Sequence, residues 1–231
     1  ENLKKNILGI VSSKSDLKLK NRVFKDLKEA IKYSSTNTIF IISSPPEHHF
    51  RQISLILESS RSVYVEKPIF INSLEAESIR KILWRKNLFV VELLMYKYTK
   101  LYKNFLKIWE KKKNNCIKIE CVFNIPKIPV NTFRDNTDIF ASPLYDIGCY
   151  IFSLLVDLNI CLKNLKLYSV KTVKKQYLQF YISGSFNNLE ISLEFGVGKK
   201  YSNFVRLNFL RSNSIEFEKF FYGRKSEKKI I

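Results

Sequence analysis

The sequence is poor in glycine, alanine, histidine and cysteine. Its 231 residues include 6 glycines, 3 alanines, 2 histidines and 4 cysteines. A chain of this length buries a core of its own, which excludes a small disulfide-stapled fold. The cysteines form no C-x-x-C pair, which argues against a zinc site and favours a reduced, cytoplasmic setting. The histidines, His48 and His49, are adjacent and no third ligand stands at a matching spacing, so we predict no metal site.

Long hydrophobic runs are also missing. The most apolar stretch, residues 147–162, is interrupted by Ser153, Asp157 and Asn159 and is too short to span a bilayer. No signal peptide opens the chain. Hydrophobic residues make up 45% and charged residues 26% of the chain, which is typical of a folded globular protein. We therefore expect one large or two modest domains and no membrane partner.

The chain has fewer acidic than basic residues, 21 against 40, which gives a net charge of +19. Such an excess suggests a nucleic-acid partner. However, lysines number 31 and arginines 9, beside 26 isoleucines, a skew toward A/T-rich codons that genome base composition explains. The lysines are scattered, with one run of three at 111–113. Because an electrostatic footprint needs a contiguous patch, we predict no nucleic-acid partner.

The first 95 residues alternate between strand and helix patterns. Apolar runs predict strands over 7–11, 38–42, 62–65 and 88–94. Helical spacing predicts helices over 24–33, around 53–57, and from an N-cap at Ser73 onward. Strands that alternate with helices over short loops indicate a parallel sheet covered on both faces.

After residue 96 the pattern changes. Helices are predicted over 98–109 and 143–158, and strands over 117–123, 165–173, 178–186, 189–195, 204–210 and 214–220. Strands in close succession with hairpin-like turns indicate an antiparallel sheet. The sequence therefore predicts an α/β domain over 1–95 and an α+β domain with an open, mostly antiparallel sheet over 96–231.

Two polar segments follow predicted strands of the first domain. One is Ser44-Pro45-Pro46-Glu47-His48-His49 and the other is Glu66-Lys67-Pro68. In a parallel α/β sheet, ligands bind outside the carboxyl ends of the strands, so Lys67 is placed to face a ligand. Residue spacing alone leaves open that Lys67 is an exposed loop lysine and that the histidines are loop or capping residues.

A third segment, residues 142–150, opens a helix of the second domain. Ser142 at the N-cap and Pro143 at the first helical position are a strong helix start. This start puts Asp146 and Tyr150 on one face, one turn apart, where they could orient and protonate a substrate. The alternative is a first-turn aspartate favoured by the helix dipole and a tyrosine packed in the core.

Together these segments resemble one family. The order S-P-P-x-x-H, V-E-K-P before an E-A-E helix, V-E-x-x-M-Y-K-Y, F-R at 133–134, and L-Y-D-I-G-C-Y is similar to the Gfo/Idh/MocA oxidoreductases. The resemblance runs from about residue 7 to 158. It is strongest to the branch of glucose-fructose oxidoreductase and dimeric dihydrodiol dehydrogenase.

The resemblance implies a Rossmann domain joined to an open sheet that supports the active site and a homodimer contact. It also implies an NAD(P)-dependent oxidoreductase that moves a hydride between the nicotinamide and a sugar-like or cyclic alcohol or carbonyl substrate. Lys67 matches the catalytic lysine of the family, and its bond to Pro68 is often cis. Tyr150 matches the residue that shares the proton transfer, and Asp146 matches the aspartate one turn earlier.

The same resemblance implies a set of cofactor contacts: Ser13, Lys14, Ser44, Pro45, Pro46, His49, Glu66, Lys67 and Pro68. A strand that ends in an acidic residue favours the ribose 2′-hydroxyl of NAD. Here Ser13 and Lys14 follow the first predicted strand and could accept a 2′-phosphate. We therefore predict NADP rather than NAD.

The sequence departs from the family pattern at its start. The family opens with a strand and a G-x-G-x-x-G turn that binds the pyrophosphate, whereas the only early glycine here is Gly9. We interpret the sequence as an incomplete Rossmann domain in a member truncated at the N-terminus and also at the C-terminus. The alternative is a non-catalytic homologue that keeps the fold but does not bind the dinucleotide.

Overall fold

The structure is a computed structural model that describes residues 7–12, 22–127, 142–173, 176–222 and 228–230. The predicted cofactor residues Ser13 and Lys14 lie outside the described residues, as does the F-R pair at 133–134. The chain divides into two compact units, residues 1–93 and residues 94–231.

The first unit alternates strands and helices. Its elements are β1 (Gly9–Val11), β2 (Arg22–Phe24), α1 (Leu27–Tyr33), β3 (Phe40–Ile42), α2 (His49–Glu58), β4 (Val63–Glu66), α3 (Ser73–Arg85) and β5 (Val90–Leu93). All of its strand pairs are parallel, as the sequence predicted.

These five strands form two separate sheets, one of β1 and β2 and one in the order β3-β4-β5. The strand β2 is a correction, because the sequence pattern began a helix at Phe24. The helix begins at Leu27 because the Asp26 side chain caps it, accepting a hydrogen bond from the Glu29 amide at 2.8 Å.

The three-stranded sheet packs against α2 and α3. The buried side chains between them are Ile42, Ile53, Ile56, Leu57, Val63, Val65 and Ile79. The N-cap of α3 is Asn72, whose side chain accepts from the Glu75 amide at 2.9 Å. The predicted N-cap, Ser73, is instead the first helical residue.

The second unit contains three helices and a large sheet. Its elements are α4 (Lys100–Lys112), β6 (Cys116–Ile125), α5 (Pro143–Asp146), α6 (Gly148–Asp157), β7 (Leu165–Val173), β8 (Gln176–Phe186), β9 (Leu189–Val197), β10 (Ser202–Phe209), β11 (Ser212–Glu218) and β12 (Lys228–Ile230). The strand order is β12-β11-β10-β6-β9-β8-β7. Only β6 and β9 pair in parallel among these described strands, so the sheet is mostly antiparallel, as predicted.

The predicted helix over 143–158 is broken at Ile147, whose backbone angles are φ −116° and ψ −44°. The next residue, Gly148, packs closely on β9, because a Cβ there would lie 3.0 Å from the Phe195 ring. The prediction of one continuous helix over residues 143–158 is therefore wrong, and the shared face of Asp146 and Tyr150 stays a prediction. Asp146 ends α5, and Tyr150 lies in the first turn of α6.

None of the helices in the described residues is both long and apolar enough to cross a membrane. The described residues also contain no group of three or more histidine, cysteine, aspartate or glutamate side chains suited to holding a metal ion.

Candidate active site

The two polar loops of the first unit leave adjacent parallel strands at the same edge. Ile42 of β3 pairs with Val65 of β4, so the loops that follow the two strands begin side by side. Lys67 is half-buried in the second loop, directly after β4. Its peptide bond to Pro68 is cis, as the resemblance implied. The arrangement puts an amine at the ligand-binding edge of a parallel sheet.

The His49 side chain contacts the backbone of both loops. It is the first residue of α2, and its side chain is 1% exposed. Its Nδ1 lies 2.9 Å from the Pro68 carbonyl oxygen, and its Nε2 lies 2.8 Å from the Ser44 carbonyl oxygen. Backbone carbonyls therefore lie against both ring nitrogens, and the cofactor contact of His49 stays a prediction.

Glu92 binds the backbone of the loop that follows β4. It lies on β5, where it pairs with Val65. Its Oε1 accepts a hydrogen bond from the Ile69 amide at 2.9 Å. From the sequence, Glu92 stands out only as part of the V-E-x-x-M-Y-K-Y motif, and this contact was not predicted. The signal was a carboxylate in an apolar strand next to the strand that carries Lys67.

The remaining residues of the first loop are less enclosed. The Ser44 hydroxyl donates to Gln52 Oε1 at 2.7 Å, which holds the loop to α2. Pro45 is exposed, and Pro46 begins a short 3-10 turn that leads into α2. Glu66, the last residue of β4, is exposed. These residues offer a surface to a ligand at the carboxyl ends of β3 and β4.

Tyr150 of the second unit is buried in an aromatic cluster. Its ring centroid lies 5.6 Å from that of Phe123, 6.0 Å from Tyr96 and 6.3 Å from Phe221. Asp146 is half-buried at the end of α5. Both the core-packing alternative and the functional interpretation of Tyr150 agree with this environment.

Ser142 stands at the N-cap of α5 as predicted, but its side chain makes no capping hydrogen bond. Its backbone carbonyl accepts from the Asp146 amide at 3.0 Å. The Ser142 hydroxyl is buried and has no hydrogen-bond partner within the part of the chain that the structure describes.

Tyr96 also contacts Tyr150, which the sequence pattern did not predict. Its hydroxyl lies 2.9 Å from the Ser153 hydroxyl and donates to the Tyr150 carbonyl at 3.3 Å. Burial raises the pKa of Tyr96 far above its ordinary value of 10.0. The buried phenol therefore acts as a protonated hydrogen-bond donor that ties the first turn of α6 to the core.

The described residues do not supply the whole of a dinucleotide site. Residues 1–93 contain one glycine, Gly9, which lies inside β1. A Cβ at Gly9 would stand 2.5 Å from the Phe24 ring and 2.6 Å from the Arg22 carbonyl oxygen, so strand packing explains this glycine. The polar loops fit the nicotinamide end of a dinucleotide, whereas no glycine-rich turn in this unit fits the pyrophosphate.

Comparisons with known proteins agree with this fold. Residues 8–92 match the Gfo/Idh/MocA model, described as an oxidoreductase family with an NAD-binding Rossmann fold. A search of curated proteins found no match to the sequence.

Solved structures resemble the chain over most of its length. The 3-ketoreductase KijD10 from Actinomadura kijaniata, crystallised with NADP and TDP-benzene, has a TM-score of 0.81 and 14% identity, over 97% of this chain and 76% of that one. UDP-N-acetylglucosamine 3-dehydrogenase GnnA from Acidithiobacillus ferrooxidans has a TM-score of 0.71 and 14% identity, over 91% and 68%. A Gfo/Idh/MocA family oxidoreductase from Vibrio cholerae has a TM-score of 0.68 and 10% identity, over 90% and 66%.

The class is thus a Rossmann-type α/β unit followed by an α+β unit with an open sheet. Residues 8–92 match the model of the Gfo/Idh/MocA oxidoreductase family, and most of the chain shares the fold of solved structures that include a member of that family.

Proposed function

We propose that the chain is an NAD(P)-dependent oxidoreductase that acts on an alcohol or carbonyl group of a sugar-like substrate. The observation that carries this proposal is Lys67, held on a doubly anchored loop at the carboxyl edge of β3, β4 and β5. That edge is where open α/β sheets bind nucleotides and their substrates. The sugar nucleotide in the name of GnnA, together with the ketoreductase activity and the TDP ligand named for KijD10, supports a sugar-like substrate.

NADP is the proposed cofactor. Support comes from Ser13 and Lys14 in the sequence and from the NADP in the KijD10 crystals. The residues that would hold its nicotinamide end are Ser44, Pro45, Pro46, Glu66, Lys67 and Pro68. When bound, the nicotinamide would supply or accept the hydride.

The proposed proton transfer uses three side chains. The Tyr150 phenol gives a proton to, or takes one from, the substrate oxygen, and the Lys67 ammonium stabilises negative charge on that oxygen. Asp146 accepts a hydrogen bond from a neighbouring substrate hydroxyl and so orients the ring. A buried phenol is suited to this work because it is shielded from water.

Turnover of NADPH with a panel of keto-sugar nucleotides tests the assignment. We expect Tyr150→Phe and Lys67→Ala each to lower kcat by about 100-fold, the effect of losing a positioned acid or base. Tyr168→Phe is the matched control, because Tyr168 is 83% exposed on β7. Rates near wild type for both active-site variants would contradict the roles of Tyr150 and Lys67.

A non-catalytic homologue is the second candidate function. The observation that favours it is the single, strand-packed glycine of residues 1–93. On this proposal the fold persists without dinucleotide binding, and turnover of NADPH with the keto-sugar nucleotide panel distinguishes the two functions.

We also propose a homodimer through the seven-stranded sheet. Its face away from the buried core carries linked charges, among them Arg206 with Glu120 and Glu216, and Lys118 with Glu190. Such a face suits a polar subunit contact. Sedimentation at micromolar concentration should give a dimer of the 27.3 kDa chain, and a monomer would contradict this contact.

A further inference from the structure

The His49 side chain connects the loop after β3 with the loop after β4. One ring nitrogen meets the carbonyl of Ser44, in the loop after β3, and the other meets the carbonyl of Pro68, in the loop after β4. The ring is almost completely buried, so water does not replace either contact without movement of the loops.

The chemistry of these contacts is specific to an imidazole. Both partners are carbonyl oxygens, which only accept hydrogen bonds. A neutral imidazole donates to one of them, and an imidazolium donates to both. A ring with two nitrogens on opposite edges reaches both backbone segments at once, which a single hydroxyl oxygen or amide nitrogen does not.

The Pro68 carbonyl is one residue after Lys67, and the next residue along is also fixed. The Ile69 amide donates to Glu92 on β5. The two residues after Lys67 are therefore anchored by two different elements, by α2 through His49 and by β5 through Glu92. This double anchor fixes the backbone from which the lysine projects.

We propose that His49 is a positioning residue for Lys67, acting as a clasp between the loops after β3 and β4 rather than as a cofactor ligand. This inference rests on the proposed function, since Lys67 is the group positioned. It assigns to the histidine of the S-P-P-x-x-H segment a role that neither its sequence position nor its neighbour His48 suggests.

The chain offers a matched control, because its only two histidines are adjacent and differ in environment. His48 is exposed, and His49 is buried. The test compares wild type with His49→Ala, His49→Gln and His48→Ala by amide hydrogen exchange of residues 66–71 and by the rate at which acetic anhydride modifies Lys67.

We expect His49→Ala to accelerate exchange of the Ile69 and Phe70 amides at least tenfold while the β4 amides of Val63 and Val65 stay as in wild type. The Lys67 acetylation rate should rise several-fold toward that of exposed lysines. His49→Gln, which keeps one donor, should fall between, and His48→Ala should change neither rate. If His49→Ala does not fold, His49→Gln carries the comparison.

Unchanged exchange and acetylation in the His49 variants would overturn the proposal. So would an increase shared equally by β4 and β5, because that pattern reports general loss of stability rather than release of one loop.

Turnover separates this inference from the proposed function. In an active chain, His49→Ala should lower kcat about tenfold and leave the KM for NADPH within twofold, and His49→Gln should restore part of kcat. A wild-type chain without turnover contradicts the proposed function, while the exchange and acetylation results still decide the clasp.

Discussion

At the scale of single residues, buried polar side chains in this chain repeatedly hold backbone rather than other side chains. Arg61, 8% exposed, donates hydrogen bonds to the carbonyls of Ile31, Ser34, Ser35 and Ser59. These carbonyls end α1 and α2, where helices leave acceptors without intrahelical partners. The Arg61 guanidinium therefore caps the C-terminal ends of both α1 and α2, next to β4.

We expect Arg61→Ala to lower the free energy of unfolding by about 3 kcal/mol, because hydrogen bonds to a charged donor are lost and buried carbonyls remain unpaired. Arg61→Lys should lose about half as much, since an ammonium reaches fewer of the four carbonyls. Urea unfolding followed by circular dichroism measures both. Arg80→Ala, at an exposed ion pair with Glu77, is the control and should leave the midpoint unchanged.

The buried phenols of the second unit predict a loss of stability at alkaline pH. Burial raises the pKa of Tyr96, and burial together with the Asp157 carboxylate raises that of Tyr102, above the ordinary 10.0. Burial raises the pKa of Cys116 to about 11 from 9.0. The unfolded chain therefore releases these protons at lower pH than the folded chain does. The stabilisation is complete below about pH 9 and declines above it.

Tyr96→Phe should reduce the alkaline slope. Between pH 10 and 11.5, each such tyrosine contributes up to about 1.4 kcal/mol of lost stability per pH unit, so the variant's stability should fall less steeply than that of wild type. Urea midpoints measured from pH 8 to 11.5 test this. Tyr168→Phe, at an exposed position, should keep the wild-type slope, and equal slopes for wild type and Tyr96→Phe would contradict the assignment.

At the scale of elements, several strands of the second unit could be predicted closely from the sequence. The expectation of 165–173 coincides with β7, and that of 189–195 falls two residues short of the end of β9. Alternate residues of β9 are buried, which is the pattern that sequence periodicity detects. The three residues of β2 include one buried side chain, Phe24, so no alternation marked them as a strand.

The candidate site was predictable only in part. Strand ends located Lys67 and the Ser44–Pro46 segment, because parallel strands bring their carboxyl ends to one edge. The helix break at Ile147 depends on the packing of Gly148 against Phe195, almost fifty residues away in sequence. The anchors His49, Glu92 and Tyr96 likewise depend on contacts between distant segments, which local patterns do not encode.

Close packing in the seven-stranded sheet predicts a sensitive position at Gly196. A Cβ there would stand 2.2 Å from the Leu178 carbonyl oxygen and 2.7 Å from the Gln179 Cα, both on the neighbouring β8. Backbone cannot yield as a flexible side chain does, so Gly196→Ala should lower the free energy of unfolding by about 2 to 3 kcal/mol. Ser183→Ala, at an exposed position on β8, is the control for thermal unfolding and should change the midpoint little.

At the scale of the whole molecule, the first unit divides its parallel strands between two sheets. In the described residues, β1 pairs with β2 and β3 pairs with β4, while β1 and β3 do not pair with each other. Ile10 and Val11 of β1 and Ile41 of β3 are exposed, the last by 71%. Apolar side chains of parallel strands are usually covered on both faces.

The divided sheet and the missing glycine turn together predict weak dinucleotide binding. Backbone amides of a glycine-rich turn and the following helix N-terminus provide most of the grip on a pyrophosphate. Within residues 1–93 the one glycine is used in strand packing. The loops after β3 and β4 must therefore bind the dinucleotide without the hydrogen bonds of a glycine-rich turn to its pyrophosphate. We expect the 231-residue chain to bind NADP with a Kd at or above about 1 mM, equivalent to about 4 kcal/mol. Calorimetric titration with NADP and NAD measures this directly. Micromolar binding would contradict the prediction and would assign the phosphates to another segment, with the backbone of Ser43–Pro46 as the first candidate.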